Sequence, residues 1–389
     1  MKAIQNKNVF YSGLIYLIAV LCYIGVRLLW QYFSLGSILD PALSDLVFTV
    51  CVQSIFIILP IVLYKLICKQ TFKQTTSRFF FHKISFKTIL LSLLLGILTY
   101  IIVVYTSTFW SAILQVFGYQ YSSSESVSSF PVWATFLMAF VSTALLPAIG
   151  EETAHRGLLL GNFRDNGLRR AVLFSALLFA LAHLNVPQFG YAFVVGLILG
   201  AVTLITRSIF PAMIIHGTSN FCSTYISYST TNEWFGGNLI NSFLNLLNTP
   251  AIGFMLSIIL FVGAIFAIRL LLPKLFIEAK REKFMKFTQN LRESTRGTEM
   301  ESMIDFNNQH QLVALFNEAN AKDMQKKFDE GKLSINHIEK EFQSDPTVAM
   351  MYSEIDDYST PKKMDNIFVY IAIFLMSFIT IATFIWGVM

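Results

Sequence analysis

Residues 145–161 read LLPAIGEETAHRGLLLG, which places Glu151, Glu152, His155 and Arg156 in a run that is otherwise as apolar as lipid. The solvent around that run decides how the four residues are to be read. The chain of 389 residues is 54% hydrophobic and 14% charged, with 37 Phe, against roughly 25% charged in ordinary soluble domains. Apolar segments of about 20 residues, the length that crosses a bilayer, recur from Val9 nearly to the C-terminus. An all-α, polytopic transmembrane helical bundle of about 8–9 spans is therefore expected.

The spans are placed at about 9–33, 43–67, 88–117, 131–161, 170–184, 189–206, 209–228, 251–276 and 366–388. Lys2 and Lys7 precede a long apolar run without a small-residue cleavage site, so no cleavable signal peptide is expected. Basic residues orient the set. Lys65, Lys69, Lys73, Arg78, Lys83 and Lys87 fill the loop after the second span. Arg164, Arg169 and Arg170 follow the fourth, and Lys274, Lys280, Arg281 and Lys283 the eighth. All fall on one side if the N-terminus is cytoplasmic, and the stretches SLGSILDPAL, GYQYSSSESVSSF and SYSTTNEWFGGNLINSFLNLLNTP opposite them hold no Lys or Arg. A multi-pass plasma-membrane protein with a cytoplasmic N-terminus is expected. Three parts follow: a transmembrane bundle over 1–277, a polar cytoplasmic insertion over 278–365 read as a small helical module, and a C-terminal transmembrane helix over 366–389. Cys22, Cys51, Cys68 and Cys222 are scattered singly and read as small apolar residues. No nucleic-acid motif is present, and the basic stretch KLFIEAKREKFMKF suits an anionic inner leaflet, so the lipid bilayer is a partner and nucleic acid is not.

An ionisable residue inside a span costs about 2.5–3.5 kcal/mol and normally faces the bundle interior. Three clusters qualify. In the first, Glu152 and Arg156 are i,i+4 neighbours on a helix, so the guanidinium neutralises that carboxylate. Glu151 points about 100° away and is the candidate base. In the second, Phe179 and His183 share a helical face, and in the third His216 and Asn220 do. A 1.5 Å rise per residue puts Glu151, His183 and His216 at roughly 15, 20 and 10 Å from the cytoplasmic face, so a common level is expected. A carboxylate and two imidazoles there can activate a water, by direct proton abstraction or through a bound divalent metal such as zinc held by Glu151, His183 and His216. Either route ends in hydrolysis. Each part also has a plainer reading: Glu152–Arg156 as glue in a bundle, each His as a hydrogen-bonded interior residue, Asn220 as packing. His155, i+4 from Glu151, is a fourth ligand or else faces lipid headgroups or another helix, and stays outside the core set; His82, His310 and His337 are given surface roles.

Taken in order, Glu151-Glu152-x-x-x-Arg156, Phe179-x-x-x-His183 and His216-x-x-x-Asn220 resemble the signature of the CPBP family of intramembrane proteases, the CAAX proteases and bacteriocin-processing enzymes also called Abi. The resemblance covers about 131–228. It implies a helical membrane bundle with a catalytic cavity opening to the cytoplasmic side, and hydrolysis of a peptide bond near the C-terminus of a membrane-embedded or lipidated peptide. By position it makes Glu151 the water-activating carboxylate with His183 as partner. His216 and Asn220 then stabilise the oxyanion or help hold a metal, and Glu152 and Arg156 orient the site. Metal-dependent and metal-free glutamate mechanisms both stay open. Two other classes stand beside this one: a non-catalytic membrane scaffold or immunity protein that binds a membrane-protein partner, and a transporter in which buried carboxylates and His relay protons.

Overall fold

In lipid a backbone satisfies its N–H and C=O groups only as a helix or a closed barrel, and the long apolar runs form helices. In order they are α1 (Lys2–Tyr32), α2 (Pro41–Ile67), α3 (Phe86–Val116), α4 (Val132–Phe163), α5 (Leu168–Ala182), α6 (Val186–Thr206), α7 (Phe210–Thr231), α8 (Gly237–Leu247), α9 (Ile252–Thr295) and α10 (Ile367–Val388). The computed structural model describes residues 2–120, 127–164, 168–297, 303–307, 312, 315 and 366–388, with no strand among them. Seven helices, α1, α2, α3, α4, α6, α9 and α10, are long and apolar enough to cross a membrane. The chain is a multi-pass, all-helical membrane protein.

Two of the expected spans differ in kind. Helix α5 has 15 residues, about 22 Å at 1.5 Å per residue, short of a hydrocarbon core of roughly 30 Å. Helix α7 is long enough but carries His216, Ser219, Asn220, Ser223 and Thr224, so it is too polar to count as an apolar span. Both pack against other helices of the bundle. Helix α9 runs unbroken for 44 residues through the expected boundary at 277. Most of the remaining insertion, with His310 and His337, lies outside the described residues.

Helix α3 packs on α7 and α9, α5 on α6, and α1 on both α2 and α10. The last span is thus part of the bundle: Asn366 Nδ2 donates to the Val9 carbonyl at 2.6 Å, and Gln120 N–H to Gly387 O at 2.8 Å. The two ends of the bundle are tied differently. At the basic end, the Tyr64 hydroxyl and Arg78 Nε both donate to Asn162 Oδ1, at 2.7 and 3.1 Å. At the other end Asp40 caps α2 by accepting from Ala42 N–H at 3.0 Å, with Pro41 at the first helical position. Ser128 Oγ donates to its Oδ1, and Ser129 N–H and Oγ to its Oδ2. Desolvation pushes the Asp40 carboxyl up, but these hydrogen bonds more than reverse it and hold it at about 2.

Helix α4 is not regular. Phe140–Leu145 and Thr153–Leu160 are π-helical turns flanking Leu146–Glu152. Pro147 has no N–H to offer the carbonyl of Thr143 four residues earlier. Wider turns of this kind re-aim side chains and recur at functional sites.

Close approach of α6 to the neighbouring helices depends on Gly196. A Cβ there would stand 2.8 Å from Ala176 Cα, so α5 and α6 touch backbone to backbone as small-residue membrane interfaces do. The Gly196→Ala variant is expected to lose about 1–3 kcal/mol through overpacking, read as a lower unfolding midpoint in detergent. An unchanged midpoint would mean the interface yields freely.

Candidate active site

The polar residues of α4 divide between two centres. The first is fully buried. Arg156 Nη1 donates to Glu152 Oε1 at 3.0 Å, and both side chains are inaccessible to solvent. Arg156 Nη2 donates to the Gly196 carbonyl at 3.1 Å, and its guanidinium lies 4.4 Å over the Phe179 ring. His216 Nδ1 reaches the same Glu152 Oε1 at 3.0 Å. Glu152 Oε2 and Arg156 Nε have no hydrogen-bond partner. The Glu152 carboxylate oxygen only accepts, so His216 Nδ1 is the donor of this contact.

The second centre is a cavity of about 380 Å³ lined by Glu151 and His183 with Gln53, Asn185, Tyr23 and Arg27. Gln53 Nε2 donates to Glu151 Oε1 at 3.1 Å. The close approach requires Gly150, where a Cβ would collide with the Gln53 side chain. His183 Nδ1 lies 2.9 Å from the Phe179 carbonyl. A carbonyl only accepts, so Nδ1 carries a proton and Nε2 is the nitrogen left for another partner. Leu184, at φ 51, turns the chain away after His183, and Trp110 Nε1 fixes the turn by donating to the Val186 carbonyl at 2.8 Å.

Phe179 joins the centres. Its ring contacts His155, His183 and His216 edge-on, with centroids at 5.3, 5.2 and 5.7 Å. His155 does not face headgroups: it is completely buried, with Nδ1 2.7 Å from the Glu151 carbonyl and Nε2 3.0 Å from the Tyr16 hydroxyl. It braces the backbone that carries Glu151 against α1.

Glu151 and His183 therefore line one cavity, and Glu152 pairs with Arg156. The three polar helices do approach one another, since the Phe179 ring touches both His183 and His216 and His216 reaches Glu152 beside Glu151. His216 turns to Glu152, and Asn220 Nδ2 donates to the Thr143 carbonyl at 2.8 Å, the acceptor that Pro147 leaves short of a donor. Neither lines the cavity. Among the described residues no three His, Cys, Asp or Glu side chains stand close enough to hold a metal ion. The Glu151, His183 and His216 ligand set does not fit one here, because His216 is drawn to the buried ion pair. The cavity's position also departs from expectation. Its walls come from the C-terminal part of α1, the N-terminal half of α2, the end of α5 and the start of α6. That half of the bundle lies away from the basic loops, not towards them.

Sequence reasoning missed Gln53, Tyr16, Tyr23, Arg27 and Asn185. Gln53 is the one amide within α2, and Arg27 the one cation in the apolar stretch 9–32 of α1. Those were the signals available.

The three motifs stand on α4, at the end of α5 and on α7. Residues 133–222 match the Rce1-like family, the type II CAAX prenyl endopeptidases. No curated protein and no solved structure matches the chain. The Rce1-like segment bears out the resemblance to CPBP proteases and supports a CAAX-type intramembrane protease activity in general terms. It contains Glu151, Glu152, Arg156, His183, His216 and Asn220; Gln53 and the whole α1 wall of the cavity lie outside it.

Proposed function

We propose that the chain is an intramembrane endopeptidase that hydrolyses a peptide bond of a membrane-embedded or lipidated substrate, with Glu151 as the general base. The observation that carries this reading is that Glu151 and His183 line one cavity, with His183 Nδ1 engaged by the Phe179 carbonyl. A water between them gives a proton to Glu151 and attacks the substrate carbonyl. The new C–O bond forms a tetrahedral intermediate. When its C–N bond breaks, Glu151 returns the proton to the leaving amine. His183 holds the water through its lone pair, and Gln53 fixes the rotamer of Glu151.

Glu152, Arg156 and His216 act in this scheme as the rigid wall behind the cavity. His216 commits Nδ1 to Glu152 and does not line the cavity, so its role here is to position that carboxylate. With the basic loops at the cytoplasmic face of a plasma membrane and the N-terminus cytoplasmic, the cavity lies in the outer half of the bundle, where substrate would enter. The scaffold reading draws on one fact, that His216 and Asn220 are both occupied by structural partners.

The test is cleavage of a quenched fluorescent peptide library by full-length protein in liposomes, before and after exhaustive chelation, with metal content measured in parallel. Cleavage that survives chelation is the expected result. Activity lost with the chelated metal and restored by zinc would overturn the direct glutamate route, and no cleavage at all would favour the scaffold.

A further inference from the structure

At the end of the bundle away from the basic loops, one helix takes no part in the hydrolytic step. Helix α8 runs from the end of α7 to the start of α9 and packs on both. Its entry is pinned to α7: the Tyr225 hydroxyl donates to the Phe235 carbonyl at 2.8 Å, and Asn241 Nδ2 to the Thr230 carbonyl at 3.3 Å. Asn238, Asn241, Asn245 and Asn248 recur at helical spacing along one stripe, and Leu239, Phe243 and Leu246 along another. Both stripes are open. Leu239 is 77% exposed, Phe243 and Leu246 are exposed with it, and so are Asn238 and Asn245. Lipid on every side would strand the amides, and water on every side would strand the leucines and the phenylalanine.

The tryptophans show the level at which α8 lies. All five stand at this end: Trp30 in the last turn of α1, Trp110 in the last two turns of α3, Trp133 in the first turn of α4, Trp234 between α7 and α8, and Trp386 in the last turn of α10. Phe136 of α4 touches Tyr228 and Trp234, with ring centroids at 5.5 and 5.0 Å. Indole and phenol rings gather where the hydrocarbon meets the headgroups. Residues 248–251 are all that separates α8 from α9, whose first turns expose Phe254, Met255 and Ile258 as a span facing lipid does. We propose that α8 is an interfacial helix lying in the plane of the membrane surface, with Leu239, Phe243 and Leu246 among the acyl chains and the asparagine stripe among headgroups and water. No Lys, Arg, His, Asp or Glu occurs from Trp234 to Ile268. Apolar insertion alone therefore holds α8, and its partner is lipid of any headgroup charge. This role is independent of the peptidase reading.

The experiment replaces one residue at a time, Leu239, Phe243, Asn238 or Asn245, with a diazirine-bearing phenylalanine in the full-length protein, reconstituted in phosphatidylcholine liposomes. The carbene released by light reacts with whatever touches it, water included, and mass spectrometry of the digested protein reads the adduct. Leu239 and Phe243 are expected to give lipid adducts at the level of Ile259, an exposed residue within the α9 span. Asn238 and Asn245 are expected to lose them in favour of water. Phosphatidylglycerol, or salt at about 1 M, where the Debye length is about 3 Å, is expected to leave the yields unchanged. At Phe243 the probe is a near-isostere, so that position reports on the folded protein even if another variant misfolds. Cross-links between two chains from Leu239 and Phe243 would overturn the proposal by putting a second copy on the stripe. Equal lipid adducts from all four positions would also overturn it, by sinking the whole helix among acyl chains. So would a yield that rises with phosphatidylglycerol, which would mean that charge and not insertion holds α8.

Discussion

Replacing Arg156 with methionine is expected to destabilise the bundle by about 3–5 kcal/mol, the usual penalty for leaving one member of a buried ion pair alone. The geometry gives little relief. Arg156 is completely buried, Glu152 beside it is too, and Glu152 Oε2 has no hydrogen-bond partner even when the pair is intact. Methionine keeps the stem over Phe179 but removes the two hydrogen bonds to Glu152 and the Gly196 carbonyl, at 3.0 and 3.1 Å. The Glu152 charge then faces His216 alone. Glu152→Gln should do comparable harm by stranding the guanidinium. The double variant Arg156→Met/Glu152→Gln should lose less than either single change, because no net charge stays buried. Unfolding midpoints of the four proteins in mixed micelles measure this cycle. Single variants within about 1 kcal/mol of wild type would mean that water or lipid headgroups reach the pair.

That pair was legible in the sequence because it is local: Glu152 and Arg156 stand i,i+4 on one helix, and helical geometry alone brings them together. The same reasoning isolated Glu151 as the other carboxylate and placed His183 within reach. What it could not give were the contacts made between helices. His216 lies 64 residues from Glu152 and Gln53 98 from Glu151, and no periodicity encodes such pairings. The depth estimate treated α4 as an ideal rod. Two π-helical turns and Pro147 make it otherwise, so counting residues could not tell which side chain His216 would reach. For His155 the sequence left headgroups and another helix open, and only packing shows that its partner is the Tyr16 hydroxyl of α1. The number of spans, by contrast, follows from length and hydropathy, and only α5 and α7 fall short of those criteria.

Glu151→Gln is expected to lower kcat for peptide cleavage by roughly 10²- to 10⁴-fold, the contribution of a positioned general base, while leaving the fold intact. The substitution is nearly isosteric, and a glutamine oxygen at this place still accepts from Gln53 Nε2, which now lies 3.1 Å from the carboxylate. Glu151 is also half-buried beside a cavity rather than sealed in an ion pair, so removal of its charge strands no partner of the kind that Arg156 has in Glu152. The contrast between neighbours is therefore diagnostic. Glu152→Gln should act mainly through stability, whereas Glu151→Gln should act through the chemical step with the unfolding midpoint held. His183→Ala should reduce kcat as well, since the water loses the Nε2 lone pair that Phe179 O orients. Gln53→Leu should have a smaller effect, because it frees the rotamer of Glu151 without removing the base. Single-turnover cleavage by purified variants in liposomes, read beside their unfolding midpoints, separates these roles. If Glu151→Gln retains more than about a tenth of wild-type activity, the proton is taken elsewhere. Glu152 would then be a poor substitute, because its Oε1 is already shared between Arg156 and His216, and the base would have to be His183.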